Sequence, residues 1–337
     1  MVFAVRKAVG RDAEIGMRPG AASRSQGAAP AKSSTPPVDQ LYITLRDSAQ
    51  LAAVERALDR VAVSHGLRRQ DVLPATPTHG LTRFHFRSGE RRTHAIHIFV
   101  PGARRPSAAP AQTPGAPRLA IIIDDLGYDR AAAEALFALP YPFTVSVLPN
   151  LPISAELAEE AQRFGYKVML HLPMESANGD AKPEAVELLV GMSPEDVARI
   201  VSRMLESVPQ ASGVNNHQGS RATTDAALMA AVMPFLRERE MFFIDSRTTP
   251  RSIAYSAARH AGVPAAYRTV FLDDTETREA TLQQLAQAER LARDPAGAGW
   301  AIAIGHPHPT TLEALAEFLP GLHARGIRLV FVSELVR

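Results

Sequence analysis

From Arg118 onward, short runs of apolar residues alternate with stretches whose apolar positions recur every three to four residues. The runs are Leu119–Ile123, Phe143–Leu148, Val168–Leu170, Met241–Ile244, Thr269–Leu272, Ala301–Ile304 and Arg328–Val332. Each is too short for an amphipathic helix and reads as a buried strand. Between them, helical spacing covers 130–138, 154–164, 194–207, 225–238, 276–292 and 311–324. The helix at 194 has a clear start: Ser193 stands at the N-cap, with Glu195 and Asp196 in the first turn. Buried strands separated by helices imply an α/β fold, its parallel sheet either covered on both faces or closed into a barrel. This pattern fills residues 118–337.

The N-terminal third is patterned differently. Residues 39–101 hold one amphipathic stretch, Leu51–Val63, and strand candidates at Leu41–Leu45, Leu81–Phe86 and Ala95–Val100, with a turn at Ser88-Gly89-Glu90. This predicts a small α+β module. Its histidines, His79, His85, His94 and His97, are expected to face solvent from alternating strands. On either side lie Ala/Gly/Ser/Pro-rich segments, 1–38 and 102–117, expected to form a coreless tail and a linker.

Composition narrows the chemistry. With 337 residues and 46% hydrophobic content there is ample material for a core. Cysteine is absent, which excludes disulfides, thiolate nucleophiles and thiolate metal sites. The net charge of +2 conceals a balance of +10 over residues 1–118 and −8 over 119–337. A basic N-terminal region would contact an anionic surface or the acidic half of the same chain. Basic residues interleaved with stacking aromatics are not seen, so specific nucleic-acid binding is not expected. No Gly-x-Ser-x-Gly elbow occurs.

Parallel α/β folds gather their functional groups where the carboxyl ends of the strands meet the loops. Here those positions carry Asp124-Asp125, His171 and Glu175, Asn215-Asn216-His217, Asp245-Ser246-Arg247, Asp273-Asp274, and His306 and His308. Two adjacent carboxylates cannot both be buried and ionised without a counter-charge, and a divalent cation is the usual one. Mixed carboxylate and imidazole ligands suit zinc, cobalt or nickel better than magnesium. One aspartate would bind the metal while its neighbour, pointing elsewhere, serves as general base. Asn215 and Asn216 also fit a turn. Arg247 fits either a partner of the Asp pair or a substrate clamp. Asp273-Asp274 reads as a helix cap.

Five segments resemble the divergent polysaccharide deacetylases, relatives of metal-dependent carbohydrate esterases. They are Ile121-Ile122-Ile123-Asp124-Asp125-Leu126-Gly127, His171-Leu172-Pro173-Met174-Glu175, Asn215-Asn216-His217-Gln218-Gly219-Ser220, Phe243-Ile244-Asp245-Ser246-Arg247 and Ile304-Gly305-His306-Pro307-His308-Pro309. The resemblance implies a distorted (β/α) barrel of about seven parallel strands, preceded by the small α+β module. It implies Asp124 as base and Asp125 and His171 as metal ligands. Glu175 stands where the better-known deacetylases have a second metal-binding His. His217 is the natural replacement, with Glu175 as the other choice and Asn216 and Arg247 as further metal or substrate contacts. His306 or His308 would be the catalytic acid, with Asp245 orienting a His or the substrate. The implied activity is metal-dependent removal of N-acetyl groups from a polysaccharide, with zinc the expected metal and cobalt or nickel the other choices. Because Glu175 departs from the pattern and the Arg-Pro-Tyr motif is missing, the alternative is a weak or inactive deacetylase-fold protein. Such a protein would bind a metal or glycan and act through partner docking.

Location is expected to be periplasmic by this resemblance. The stretch Met1-Val2-Phe3-Ala4-Val5-Arg6-Lys7 runs apolar to charged, the reverse of a signal peptide's order, and would place the chain in the cytoplasm.

Overall fold

The computed structural model describes residues 1–9, 13–18, 38–45, 47–73, 81–99, 115–137, 139, 141–177 and 182–337. It contains two units, Met1–Arg105 and Pro106–Arg337. Most of the expected linker at 102–117 lies outside the described residues, as do residues 19–37 of the expected tail and His79.

In the first unit the chain runs α1 (Val2–Val9), β1 (Ala13–Arg18), β2 (Asp39–Leu45), α2 (Leu51–Ser64), β3 (Arg68–Leu73), β4 (Leu81–Ser88) and β5 (Arg91–Phe99). The strands form one sheet in the order β1-β2-β5-β4-β3, with only the β2–β5 pair parallel. The expectation of a coreless tail fails over α1 and β1. Val5 and Val9 recur at helical spacing and join Val54, Leu58, Ile43, Phe84 and Ile96 in one buried cluster, and β1 extends the sheet along β2. Strand β3 is polar in sequence and is held by charge. Arg69 reaches Glu55 at 2.9 Å and Asp59 at 3.2 Å on α2. His85 and His97 are buried, against the expectation of solvent-facing histidines; both stand on interior strands of the sheet, β4 and β5.

The second unit continues β6 (Arg118–Leu126), α3 (Arg130–Phe137), β7 (Thr144–Val147), α4 (Ser154–Arg163), β8 (Lys167–Met174), α5 (Pro194–Ser207), β9 (Gly213–Gln218) and α6 (Ala226–Glu238). It ends with β10 (Phe242–Asp245), α7 (Ala254–His260), β11 (Ala265–Tyr267), β12 (Val270–Phe271), α8 (Arg278–Arg293), β13 (Trp300–Gly305), α9 (Pro309–Phe318) and β14 (Arg328–Val330). Ser193 caps α5 as its sequence indicates, accepting the Asp196 N–H at 3.1 Å. All strand pairs are parallel, in the order β11-β10-β9-β8-β7-β6-β13-β12, with β14 on β6. The two ends of that path, β11 and β12, are separated only by Arg268 and Thr269. The Arg268 N–H bonds to Asp245 on one side and the Thr269 N–H to Ile302 on the other. Counted together, β11 and β12 form one broken stave that closes a distorted (β/α) barrel of seven staves.

Side chains alternate along a strand, so residues of one parity fill the barrel. Ala120, Ile122, Met169, Phe242, Ile244, Ala266, Ile302 and Ile304 form a single buried cluster, and Val330, Val332 and Leu335 join it. Carrying the same parity two residues further up each strand leads to Asp124, His171, Ser246 and His306. Asn215 and His217 occupy matching positions on β9, since His171 stands beside Asn215 in the β8–β9 register. The uppermost interior layer of the barrel is therefore polar, above an apolar filling.

Candidate active site

Asp124 and Asp125 are sequence neighbours, which in a regular strand would point to opposite faces. The strand does not stay regular. The β6–β7 register shifts between Ile123 and Leu126, and Asp125 adopts φ = 60°. A left-handed backbone at a non-glycine residue is uncommon and costs strain. It swings the second carboxylate to the same mouth as the first, so both lie near His171 Nε2: Asp125 Oδ1 at 3.2 Å and Asp124 Oδ2 at 3.7 Å. The expectation that one aspartate points elsewhere is corrected by this bulge. Gly127 follows with φ = 147°, where an added Cβ would meet Leu151 Cδ1 and Ser154 Oγ at 3.0 Å. Only glycine lets the chain leave the site this closely against α4.

Three candidate ligand atoms make a nearly equilateral triangle. Asp125 Oδ1 is 3.2 Å from both His171 Nε2 and His217 Nδ1, and those two nitrogens are 3.1 Å apart. A tetrahedral ion with bonds of ~2.0–2.1 Å has ligand–ligand edges of roughly 3.3 Å. Asp125 Oδ1 is buried yet makes no well-formed hydrogen bond, a costly state for a carboxylate oxygen unless a cation meets it. Burial alone would raise the Asp125 carboxyl pKa, but the adjacent imidazoles of His171 and His217 hold it well below the usual carboxylate range. These donors fit a divalent metal.

The opposite nitrogen of each imidazole is also held. His171 Nδ1 lies 2.9 Å from Asn215 Oδ1, while Asn215 Nδ2 donates to both oxygens of Asp124 at 3.0 and 3.1 Å. The amide thus fixes its own orientation, puts the proton on Nδ1 and leaves Nε2 free as a ligand. His217 Nε2 lies between Glu184 Oε1 at 3.4 Å and Gln218 Nε2 at 3.3 Å.

His306 stands beside this triangle, with Nε2 3.7 Å from Asp125 Oδ2. Its Nδ1 meets Asp273 Oδ1 at 3.1 Å, and Asp273 Oδ2 accepts the His306 backbone N–H at 2.6 Å and the Thr311 hydroxyl at 2.8 Å. Burial opposes the charged imidazolium, but the Asp273 hydrogen bond and the charges of Asp125, Asp273 and Asp124 outweigh it and push the His306 pKa up to about 9. Gly305 permits this dyad: a Cβ there would sit 3.1 Å from Asp273 Oδ2.

The remaining expected site residues are occupied elsewhere. Glu175 pairs with Arg221 at 2.7 Å and accepts the Val190 N–H at 2.7 Å, so both of its oxygens are engaged away from the triangle. Asp245 has the outward parity on β10 and meets no imidazole there. It binds the Arg247 N–H at 2.8 Å, the Ser252 hydroxyl at 2.8 Å and the Tyr255 N–H at 3.2 Å, fixing the start of α7. Asn216, also outward, accepts the Ser246 N–H and donates to the Gln218 carbonyl. The Arg247 guanidinium lies 3.6 Å from the centre of the Tyr267 ring instead of on the Asp pair. His308 stacks at a tilt on His306, 5.6 Å between ring centres, with its Nε2 3.8 Å from Glu276.

The pattern of the divergent polysaccharide deacetylases matches residues 121–336, the whole barrel from β6 to the last turn. The chain belongs to the divergent polysaccharide deacetylase family. An uncharacterized protein of Haemophilus influenzae is 38% identical over 220 residues, covering 65% of this chain and 77% of that one. The uncharacterized protein YibQ of Escherichia coli is 37% identical over 219 residues, covering 65% and 67%. Among solved structures, an uncharacterized protein from Agrobacterium tumefaciens shares the fold with a TM-score of 0.64 at 24% identity, covering 70% of this chain and 97% of that one. In this divergent polysaccharide deacetylase, β9 brings His217 to the corner of the triangle, while Glu175 is paired with Arg221.

Proposed function

We propose that the chain is a metal-dependent hydrolase that removes N-acetyl groups from a polysaccharide. The reading rests on the triangle of Asp125, His171 and His217, whose edges and orphaned oxygen suit a tetrahedral divalent ion. Zinc is the metal we assign to it, on the mixed imidazole and carboxylate donors. Bound there, it would supply Lewis acidity, polarising the amide carbonyl and acidifying water.

Asp124 is the base. It is nearly fully buried, faces the mouth and is held by Asn215 through both oxygens, so it is placed to take a proton from the attacking water. His306 is the acid. Asp273 accepts from Nδ1, which favours the charged imidazolium and turns Nε2–H toward the mouth, where it would protonate the departing amine. Asp273 positions His306 and does not itself touch the reacting atoms. An envelope glycan as substrate, and a periplasmic location, belong to the same proposal. The rival reading, a binding protein without turnover, is disfavoured by a base, an acid and three ligands converging on one mouth.

Acetate release from N-acetylglucosamine oligomers, measured with and without added zinc, tests the proposal. Zinc-dependent release that disappears in Asp124→Asn is the expected result. Tight oligomer binding with no release would favour the rival.

A further inference from the structure

A groove of about 590 Å³ opens directly beside Asp125 and His306 and runs between α3 and α9. Its walls are Ala131, Ala132 and Ala135 on one side and Pro309, Leu312 and Ala316 on the other. None of these side chains donates or accepts a hydrogen bond. A sugar ring is dense in hydroxyls, and covering it with such walls would leave those hydroxyls unpaired. The polar groups that do line the groove are largely committed or at its rim; His308 is one of them, stacked on His306 with its Nε2 3.8 Å from Glu276. Asp129 caps α3 by accepting the Ala132 N–H at 3.0 Å, and Asp125 and His306 belong to the site. Tyr128, at 64% exposure, and the exposed Glu313 stand at the rim.

On the other side of the triangle the surroundings reverse. A second depression of about 580 Å³ is lined by Lys182, Glu184, His217 and Gln218, all polar, together with Pro183 and Ala185. The site therefore lies between an apolar groove and a polar one.

We propose that the substrate is amphipathic and that the α3–α9 groove receives an alkyl chain attached close to the scissile amide, the sugar lying over the Lys182–Gln218 side. This rests on the amide-hydrolase reading and specifies its substrate class. The chain could enter as the acyl part of a long N-acyl amino sugar, or as the aglycone of an alkyl-linked N-acetyl sugar. The chemistry recognised is the same: a run of methylenes removed from water against alanine, leucine and proline.

Two ligand series separate the sources: N-acylglucosamines from acetyl to octanoyl, and alkyl N-acetylglucosaminides from methyl to octyl. Each is titrated calorimetrically into the full zinc-loaded chain, with free-amine release followed in parallel. In one of the two series the dissociation constant should fall by roughly three- to fourfold per added methylene until the groove is filled. Leu312→Asp and Ala135→Glu, each checked for unchanged zinc content as evidence of folding, should flatten that series. Affinity independent of chain length in both series would overturn the proposal, as would a length dependence that survives both substitutions. Amine release with no length dependence removes this proposal and leaves the hydrolase reading standing. Length-dependent binding without amine release supports the groove and removes the hydrolase reading.

Discussion

Two clusters at the mouth of the barrel each offer a carboxylate and two imidazoles within ligand distance of one another: Asp125, His171 and His217, and Asp273, His306 and His308. They differ in how their polar atoms are satisfied. In the first, a buried carboxylate oxygen has no well-formed hydrogen bond while the outward nitrogens of both rings are held by Asn215 and Glu184. In the second, the Asp273 oxygens already accept a ring nitrogen, a backbone N–H and a hydroxyl. An unsatisfied set calls for a cation; a satisfied one holds a proton. Residue types alone do not separate a metal site from an acid–base dyad, whereas the partners of each lone pair do.

Breaking the first cluster should have the largest effect. Asp125→Ala and His217→Ala are expected to abolish stoichiometric zinc binding and with it all turnover, as read by metal analysis of the dialysed protein. In the second cluster, His306→Ala should leave zinc content unchanged and lower kcat by about 10²- to 10⁴-fold. A smaller loss is expected for Asn215→Ala: zinc affinity should fall by roughly 10- to 100-fold, the cost of freeing a ligand's outer hydrogen-bond partner. The second cluster also predicts a pH signature in the metal-free protein. Its folded His306 pKa of about 9 exceeds the ordinary 6.5. The stability this pair contributes is therefore complete below about pH 6.5 and lost as pH rises through about 9. Melting temperature followed across that window should decline in the wild type and decline less in Asp273→Asn. The smallest effect belongs to Glu175→Gln, which breaks a half-exposed ion pair with Arg221 and should cost about 1 kcal/mol or less without altering zinc content.

The barrel was legible because apolar runs and helical spacing repeat through it. What escaped were the elements whose composition runs against their type. Strand β9, Gly-Val-Asn-Asn-His-Gln, reads as a loop because asparagine is depleted in strands, yet it carries His217 and the Asn215 bridge. Strand β3 is polar, paired with β4 and tied to α2 through Arg69, and α7 is only seven residues long. Asp273 looks like a helix cap in sequence, since its partner His306 lies 33 positions away. One signal was available. The two-residue parity that puts Ile122, Met169 and Ile304 inside the barrel also points to Asp124, His171 and His306 and turns Asp245 outward. Asp125 breaks that parity, and nothing in the residue order announces the bulge that brings it inward.

The account stands on where a metal goes when both clusters are offered one. Crystals of the full chain grown with zinc, with diffraction collected on either side of the zinc absorption edge, answer this directly. One anomalous peak at bonding distance from Asp125 Oδ1, His171 Nε2 and His217 Nδ1 is the result predicted here. A peak among Asp273, His306 and His308, with the Asp125 triangle empty, would contradict it.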